Sequence, residues 1–150
     1  MISNDREFTI LIVDDIEEDF MLINLAFKKC NFNKKIVWMP NGENILKYLD
    51  TENNFLDENN RLKPMIIFLD LNMPRIDGFE VLNGIRNHVN KDVRKIPIVI
   101  FSSSSSHFDI NRSYLEGANL YVTKPSGYSS LLEFVESFTK FWNNFCAIPS

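Results

Sequence analysis

Five short apolar runs recur along the chain, each followed by a segment with a different spacing. They are "FTILIV" (Phe8 to Val13), "KIVWM" (Lys35 to Met39), "MIIFL" (Met65 to Leu69), "PIVIF" (Pro97 to Phe101) and "LYVT" (Leu120 to Thr123). Their length and their β-branched and aromatic content predict strands. The segments between them have helical spacing. In "EEDFMLINLAFKKC", Phe20, Ile23, Phe27 and Cys30 step along one helix face. "NGENILKYL" predicts a helix opened by an Asn41-Gly42 turn, and "GFEVLNGIRNH" one with Phe79, Leu82 and Ile85 inward. "FDINRSYLEGA" predicts a fourth helix. Ser129 to Phe145 predicts a fifth, with Leu131, Phe134, Val135, Phe138, Trp142 and Phe145 on its apolar side. Strands alternating with helices predict an α/β domain with a mainly parallel sheet and helices on both faces. The continuous apolar runs are those of strands buried on both sides. "DTENNFLDENNRLK" (Asp50 to Lys63) is the one extended polar stretch, and it is expected to be a solvated surface loop.

Polar residues fall at the strand ends. The first run enters Asp14-Asp15, the third Asp70, the fourth Ser102 and the fifth Lys124-Pro125. In an open α/β sheet of order 2-1-3-4-5, sites lie outside the carboxyl ends of the strands, where strand order reverses. Strands one and three are then neighbours. Asp14, Asp15 and Asp70 share one crevice, with Ser102 and Lys124 on its rim. Carboxylates so close repel one another, which a raised pKa or a bound cation relieves. An all-oxygen acidic site with few protein ligands suits Mg²⁺, and a carboxylate can attack phosphorus to form an acyl phosphate. Each strand end alone is a common turn or helix cap; the conjunction of the four is what carries the chemistry.

The motifs "ILIVDD", "IIFLDLNMPRIDGFEVL", "IPIVIFSSS" and "LYVTKP" closely resemble the receiver domain of bacterial two-component response regulators. The resemblance spans roughly Phe8 to Phe145. It implies a single flavodoxin-like (βα)5 receiver domain over residues 1–150, with no output domain. It also implies phosphorylation on aspartate by a histidine kinase with Mg²⁺ as cofactor. Carried over by position, Asp70 corresponds to the phosphoacceptor. Asp15 corresponds to a direct Mg²⁺ ligand, Asp14 to its companion acting through metal-bound water, and Asn72 to a ligand through its backbone carbonyl. Lys124 corresponds to the partner of the phosphoryl group, with a cis Lys124-Pro125 bond. Ser102 and Tyr121 correspond to the switch pair, and Gly78 to a backbone geometry that other residues resist. Of the remaining serines, Ser103 stands where a small side chain leaves room for the phosphoryl group, and Ser104 at the mouth. Ser105 and Ser106 form the loop and cap the next helix.

The closer similarity is to the small response regulators associated with bacterial phytochromes. It rests on "FW" near the C-terminus, the serine stretch and the length. It implies a phytochrome-type kinase, output by contact with a downstream protein, and a possible homodimer through the C-terminal helix, where Phe141, Trp142 and Phe145 exceed one core face. Two other chemistries fit the architecture. An aspartyl-phosphate phosphohydrolase needs a second acidic residue two positions after the nucleophile, where this chain has Asn72. A flavin binder needs a glycine- or hydroxyl-rich phosphate cradle in the first turn, where this chain has "VDDIEED".

Composition narrows the rest. The 150 residues suit one domain, and a net charge of −4 argues against a nucleic-acid partner. No apolar run approaches the roughly 20 residues that span a bilayer. The polar start lacks a signal-peptide pattern, so a cytoplasmic protein is expected. Cys30 and Cys146 lack metal-type spacing and read as free thiols.

Overall fold

The computed structural model describes residues 8–144 and 146–149. The five apolar runs form five parallel strands, β1 (Thr9–Val13), β2 (Lys35–Met39), β3 (Met65–Leu69), β4 (Ile98–Ser102) and β5 (Leu120–Thr123), in the order β2-β1-β3-β4-β5. Six helices connect or follow them: α1 (Glu17–Lys29), α2 (Gly42–Leu49), α3 (Glu52–Phe55), α4 (Gly78–Arg86), α5 (His107–Leu115) and α6 (Tyr128–Asn144), with a 3-10 turn at Val93–Lys95 before β4. This is the doubly wound α/β architecture expected from the alternation.

Strand periodicity splits the apolar residues into two layers. Leu11, Val13, Ile67, Leu69, Ile98 and Ile100 face one side and pack with Ile45, Leu49, Val81, Leu82 and Ile85 of α2 and α4. Ile10, Ile12, Ile66, Phe68, Val99 and Phe101 face the other, against Ile23, Phe27, Leu131, Val135, Phe138 and Trp142 of α1 and α6. The second layer is strongly aromatic. Phe68 meets Phe138 edge-on with ring centres 5.2 Å apart, and Phe138 stacks on Trp142 at 5.4 Å.

The polar stretch Asp50 to Lys63 differs from the expected solvated loop. Two of its apolar side chains decide this. Phe55 and Leu62 are buried in the α2–α4 layer, and a bridge pairs Leu56 with Leu62. Burying a Phe or Leu gains about 1.5–3 kcal/mol, enough to fix a short helix and a tight return. The Asp57 carboxylate holds that return by accepting from the Asn59 and Arg61 amides. On α6, Trp142 is core and Phe141 is the aromatic left exposed, while Phe145 lies outside the described residues. Cys30 and Cys146 are both free and half-buried.

Gly78 opens α4 for a reason other than backbone geometry. Among the glycines, positive φ belongs to Gly117 and Gly127 and not to Gly78. A Cβ at Gly78 would instead stand 2.3 Å from the Asp70 carbonyl oxygen and 2.6 Å from Leu71 Cα. Those are backbone atoms with no rotamer to yield. Gly78→Ala should therefore cost about 1–3 kcal/mol by overpacking, read as a lowered midpoint in urea with an unchanged slope. Ser106, the N-cap of α5, accepts from the Asp109 amide at 3.4 Å. That long bond limits the loss in Ser106→Ala to at most about 1 kcal/mol in the same measurement.

Candidate functional site

The site is made level by strand register. Val13 of β1 pairs with Leu69 of β3, so Asp14 and Asp70 leave the sheet side by side. The ladder continues through them: the Asp14 amide donates to the Met39 carbonyl at 3.1 Å and the Asp70 amide to the Val13 carbonyl at 3.0 Å. Both aspartates are 4 % exposed, while Asp15 is exposed. One carboxylate oxygen from each of Asp14, Asp15 and Asp70 falls within 4.8 Å of the others. Ser102 pairs with Thr123, and the Lys124 amide closes on the Ser102 carbonyl at 2.7 Å. From there the Lys124 Nζ donates to Asp14 Oδ2 at 2.8 Å and Asp19 Oδ2 at 2.9 Å, and stands 3.5 Å from Asp70 Oδ2.

Asp19 was not among the residues expected at the site. It lies in the first turn of α1, beside Glu17 and Glu18, where a carboxylate complements the helix dipole. No spacing in the sequence singles it out from its acidic neighbours; its place in the site comes from the Lys124 contact. Lys124 and Asp19 also border a cleft of about 200 Å³ walled by Leu22, Phe101, Tyr128 and Leu131.

Burial pushes the Asp70 carboxyl up to about 6, with Lys124 pulling down and Asp14 adding like-charge repulsion. Burial likewise raises Asp14, opposed by its bonds from Lys124 and the Ile16 amide. Burial would lower Lys124, yet its carboxylate partners outweigh that and hold it above the usual lysine range. One ammonium therefore faces the four carboxylates of Asp14, Asp15, Asp19 and Asp70. The donors are all hard oxygens and the charge is left negative, so the set fits a hard divalent cation.

Asn72 is exposed, and its amide donates to Asp70 Oδ1 at 3.4 Å. The loop it begins contains Arg75 at φ 67, in the left-handed region that non-glycine residues seldom occupy. The Lys124-Pro125 bond is trans, not the cis form carried over from the family. Trans is the cheaper isomer of an X-Pro bond by about 0.5–1 kcal/mol.

Ser102 is fully buried, and its hydroxyl accepts from the Ser104 amide at 3.2 Å. Tyr121 is half-buried, and its hydroxyl donates to the Ser104 carbonyl at 2.7 Å. Ser103 is exposed.

Residues 10–136 match the family model of the response regulator receiver domain. The chain belongs to the response regulator receiver domain family: it is a phosphoacceptor of phosphorelay signalling, with a histidine kinase as partner. It is 34% identical over 142 residues to the probable methanogenesis regulatory protein FilR2 of Methanothrix harundinacea, across 95% of this chain and 88% of that one. The response regulator Rcp1 of Synechocystis is 29% identical over 94% of this chain and 92% of its own length. The structure of the Mn²⁺-bound form of Rcp1 superposes with a TM-score of 0.78 at 30% identity, over 95% and 99% of the two chains. The phosphorylated cyanobacterial phytochrome response regulator RcpA superposes with a TM-score of 0.81 at 32% identity, over 96% and 99%.

The raised Asp70 pKa has a stability consequence whose sign follows from linkage. An aspartate ordinarily titrates near 3.8 and this one near 6, so between those values the native state binds the extra proton. The group's contribution is most favourable at the acid end and is lost as pH rises through about 6. Without divalent cations, Asp70→Asn should thus stabilise the protein at pH 7.5 by about 2 kcal/mol, and the gain should vanish near pH 4. Calorimetric melts in chelator at the two pH values read the difference.

Proposed function

We propose that Asp70 is the phosphoacceptor. The observation that carries this reading is its placement: a buried carboxylate at the end of β3, flanked by Asp14 and Asp15, with the Lys124 ammonium 3.5 Å away. An Asp70 oxygen attacks phosphorus, the bond from phosphorus to the kinase histidine breaks, and an acyl phosphate forms. Lys124 then pairs with the new phosphoryl charge, which its reach to Asp70 supports. Mg²⁺ is the proposed cation, held by Asp15, Asp70 and the Asn72 carbonyl, with Asp14 acting through water. When bound, it supplies positive charge against the transferring group. The same residues would assist hydrolysis of the acyl phosphate, so that the domain helps set its own signal lifetime.

Ser102 and Tyr121 form the proposed switch. Both hydroxyls are bonded to the backbone of Ser104, so a movement of one loop reaches both. The affected surface is α5 with β5, where Phe108, Tyr114, Leu115 and Leu120 are exposed. This supports output by contact with a downstream protein; the proposed setting is the cytoplasm. No described helix is long and apolar enough to cross a membrane. Phe141 on α6 supports a homodimer contact there. The likeness to RcpA supports a phytochrome-type kinase.

Incubation with acetyl phosphate and Mg²⁺ tests the acceptor. Labelling should disappear in Asp70→Asn, seen as loss of one phosphoryl mass, while the far-ultraviolet circular dichroism stays native. Labelling undiminished in that variant would overturn the assignment. Ser102→Ala should keep labelling but lose the chemical-shift changes that phosphorylation causes at Tyr121.

A further inference from the structure

Trp38 lies on β2, the edge strand, opposite Ile12 of β1. Its indole Nε1–H donates to the Asp14 carbonyl at 2.8 Å. Phe20 of α1 stacks on the same indole, with ring centres 5.6 Å apart and planes 12° from parallel. Both side chains are half-buried. The indole supplies a donor where the backbone of β2 runs out of them. The Met39 carbonyl still accepts from the Asp14 amide, but β2 ends there, and Pro40 has no amide to give.

The carbonyl that Trp38 grips belongs to the peptide joining Asp14 to Asp15. That unit is planar, so holding its oxygen restricts where the Asp15 Cα can go. The Asp14 side chain has restraints of its own, from Lys124 at Oδ2 and the Ile16 amide at Oδ1. The Asp15 side chain is exposed, and a carboxylate oxygen of it comes within 4.8 Å of those of Asp14 and Asp70. Like charges at that separation repel. Resting on the reading of Asp15 as a cation ligand, we propose that Trp38 is a positioning residue for the divalent cation: through the Asp14 carbonyl it holds the Asp15 carboxylate near Asp70 against that repulsion. Its hydrogen bond goes to backbone, so its effect passes through the Asp14-Asp15 peptide. Ligands held in place beforehand lose less freedom on binding, which raises affinity. The effect is mutual: a bond that favours the cation is itself favoured by the cation.

Calorimetric titration of the metal-free protein with Mg²⁺ reads the affinity. Trp38→Phe keeps an aromatic ring against Phe20 and removes the donor. It should bind Mg²⁺ about three- to tenfold more weakly, the effect of one hydrogen bond of ordinary strength. Phe138→Leu, a truncation in the aromatic layer, should lose stability and keep its affinity within about twofold. Equal weakening in the two variants, or none in Trp38→Phe, overturns the proposal. Asp15→Asn separates the two readings. If it binds Mg²⁺ as tightly as wild type, the ligand reading falls and the proposal with it. If it is weakened and Trp38→Phe is not, the proposal alone falls.

The wild-type protein carries a second test, which stands even if Trp38→Phe fails to fold. Trp38 and Trp142 are its two tryptophans. Trp142 packs on Phe8, at the other end of β1 from Asp14, and its indole N–H has no hydrogen-bond partner among the described residues. In nuclear magnetic resonance spectra, saturating Mg²⁺ should slow solvent exchange of the Trp38 indole proton about three- to tenfold and leave that of Trp142 unchanged. Unchanged exchange at Trp38, or equal slowing at both, overturns the proposal.

Discussion

The Lys124 ammonium stands among carboxylates that would otherwise repel one another at the mouth of the sheet. Asp14 and Asp70 are almost wholly buried, and burial has already raised both toward the protonated form. Each charge taken out of water costs several kcal/mol, so the arrangement persists only with a partner in reach. Lys124 is that partner, and its bond to Asp19 secures it to the first turn of α1. The result is a site held short of neutrality. It has enough positive charge to stay folded and too little to satisfy the carboxylates, which is the condition for taking up a dication and a phosphoryl group.

The rest of the fold keeps that tension in register. Parallel pairing of Val13 with Leu69 puts the two buried aspartates at one height, and the pairing of Ser102 with Thr123 puts the lysine one step beyond the serine. A slip of one residue would turn these side chains to the opposite face. The two apolar layers resist such slips, because the central strands β1, β3 and β4 are buried on both sides by residues of alternating direction. Gly78 contributes by absence: the start of α4 presses against the Asp70 carbonyl, and any side chain there would push Asp70 out of line.

Signal output needs a part of the structure that is less firmly held. In the proposed switch, the serine loop after β4 is that part. It is tied by hydrogen bonds, with Ser103, Ser105 and Ser106 exposed, whereas the strand behind it is wholly buried. Hydrogen bonds of this kind are each worth about 1 kcal/mol net, so a few of them give two arrangements close enough in energy to be biased by one charge. The lower-cost elements sit where motion is useful, and the apolar layers remain where it is not.

Much of this was legible in the residues. The continuous apolar runs determined the strands almost to the residue, because strands buried on both faces need continuous apolar sequence. Asp14, Asp15, Asp70, Ser102 and Lys124 were legible because parallel strands deliver their carboxyl ends to one edge, whereas Tyr121, inside β5, was legible only through the family resemblance. Three things were decided only in three dimensions. Asp19 joined the site because a helix turn and a lysine more than a hundred residues away converge on it, a pairing no local pattern encodes. The stretch from Asp50 to Lys63 took its shape from two buried side chains, Phe55 and Leu62, against the polarity of their neighbours. Gly78 was recognised as special, but its reason was a backbone contact with Asp70 and not its own dihedral angles. The sequence by itself determined which groups reach the site, through periodicity and strand direction. Their partners, and hence their charges, were set by tertiary packing, because burial and distance govern electrostatics and neither is a property of a linear pattern.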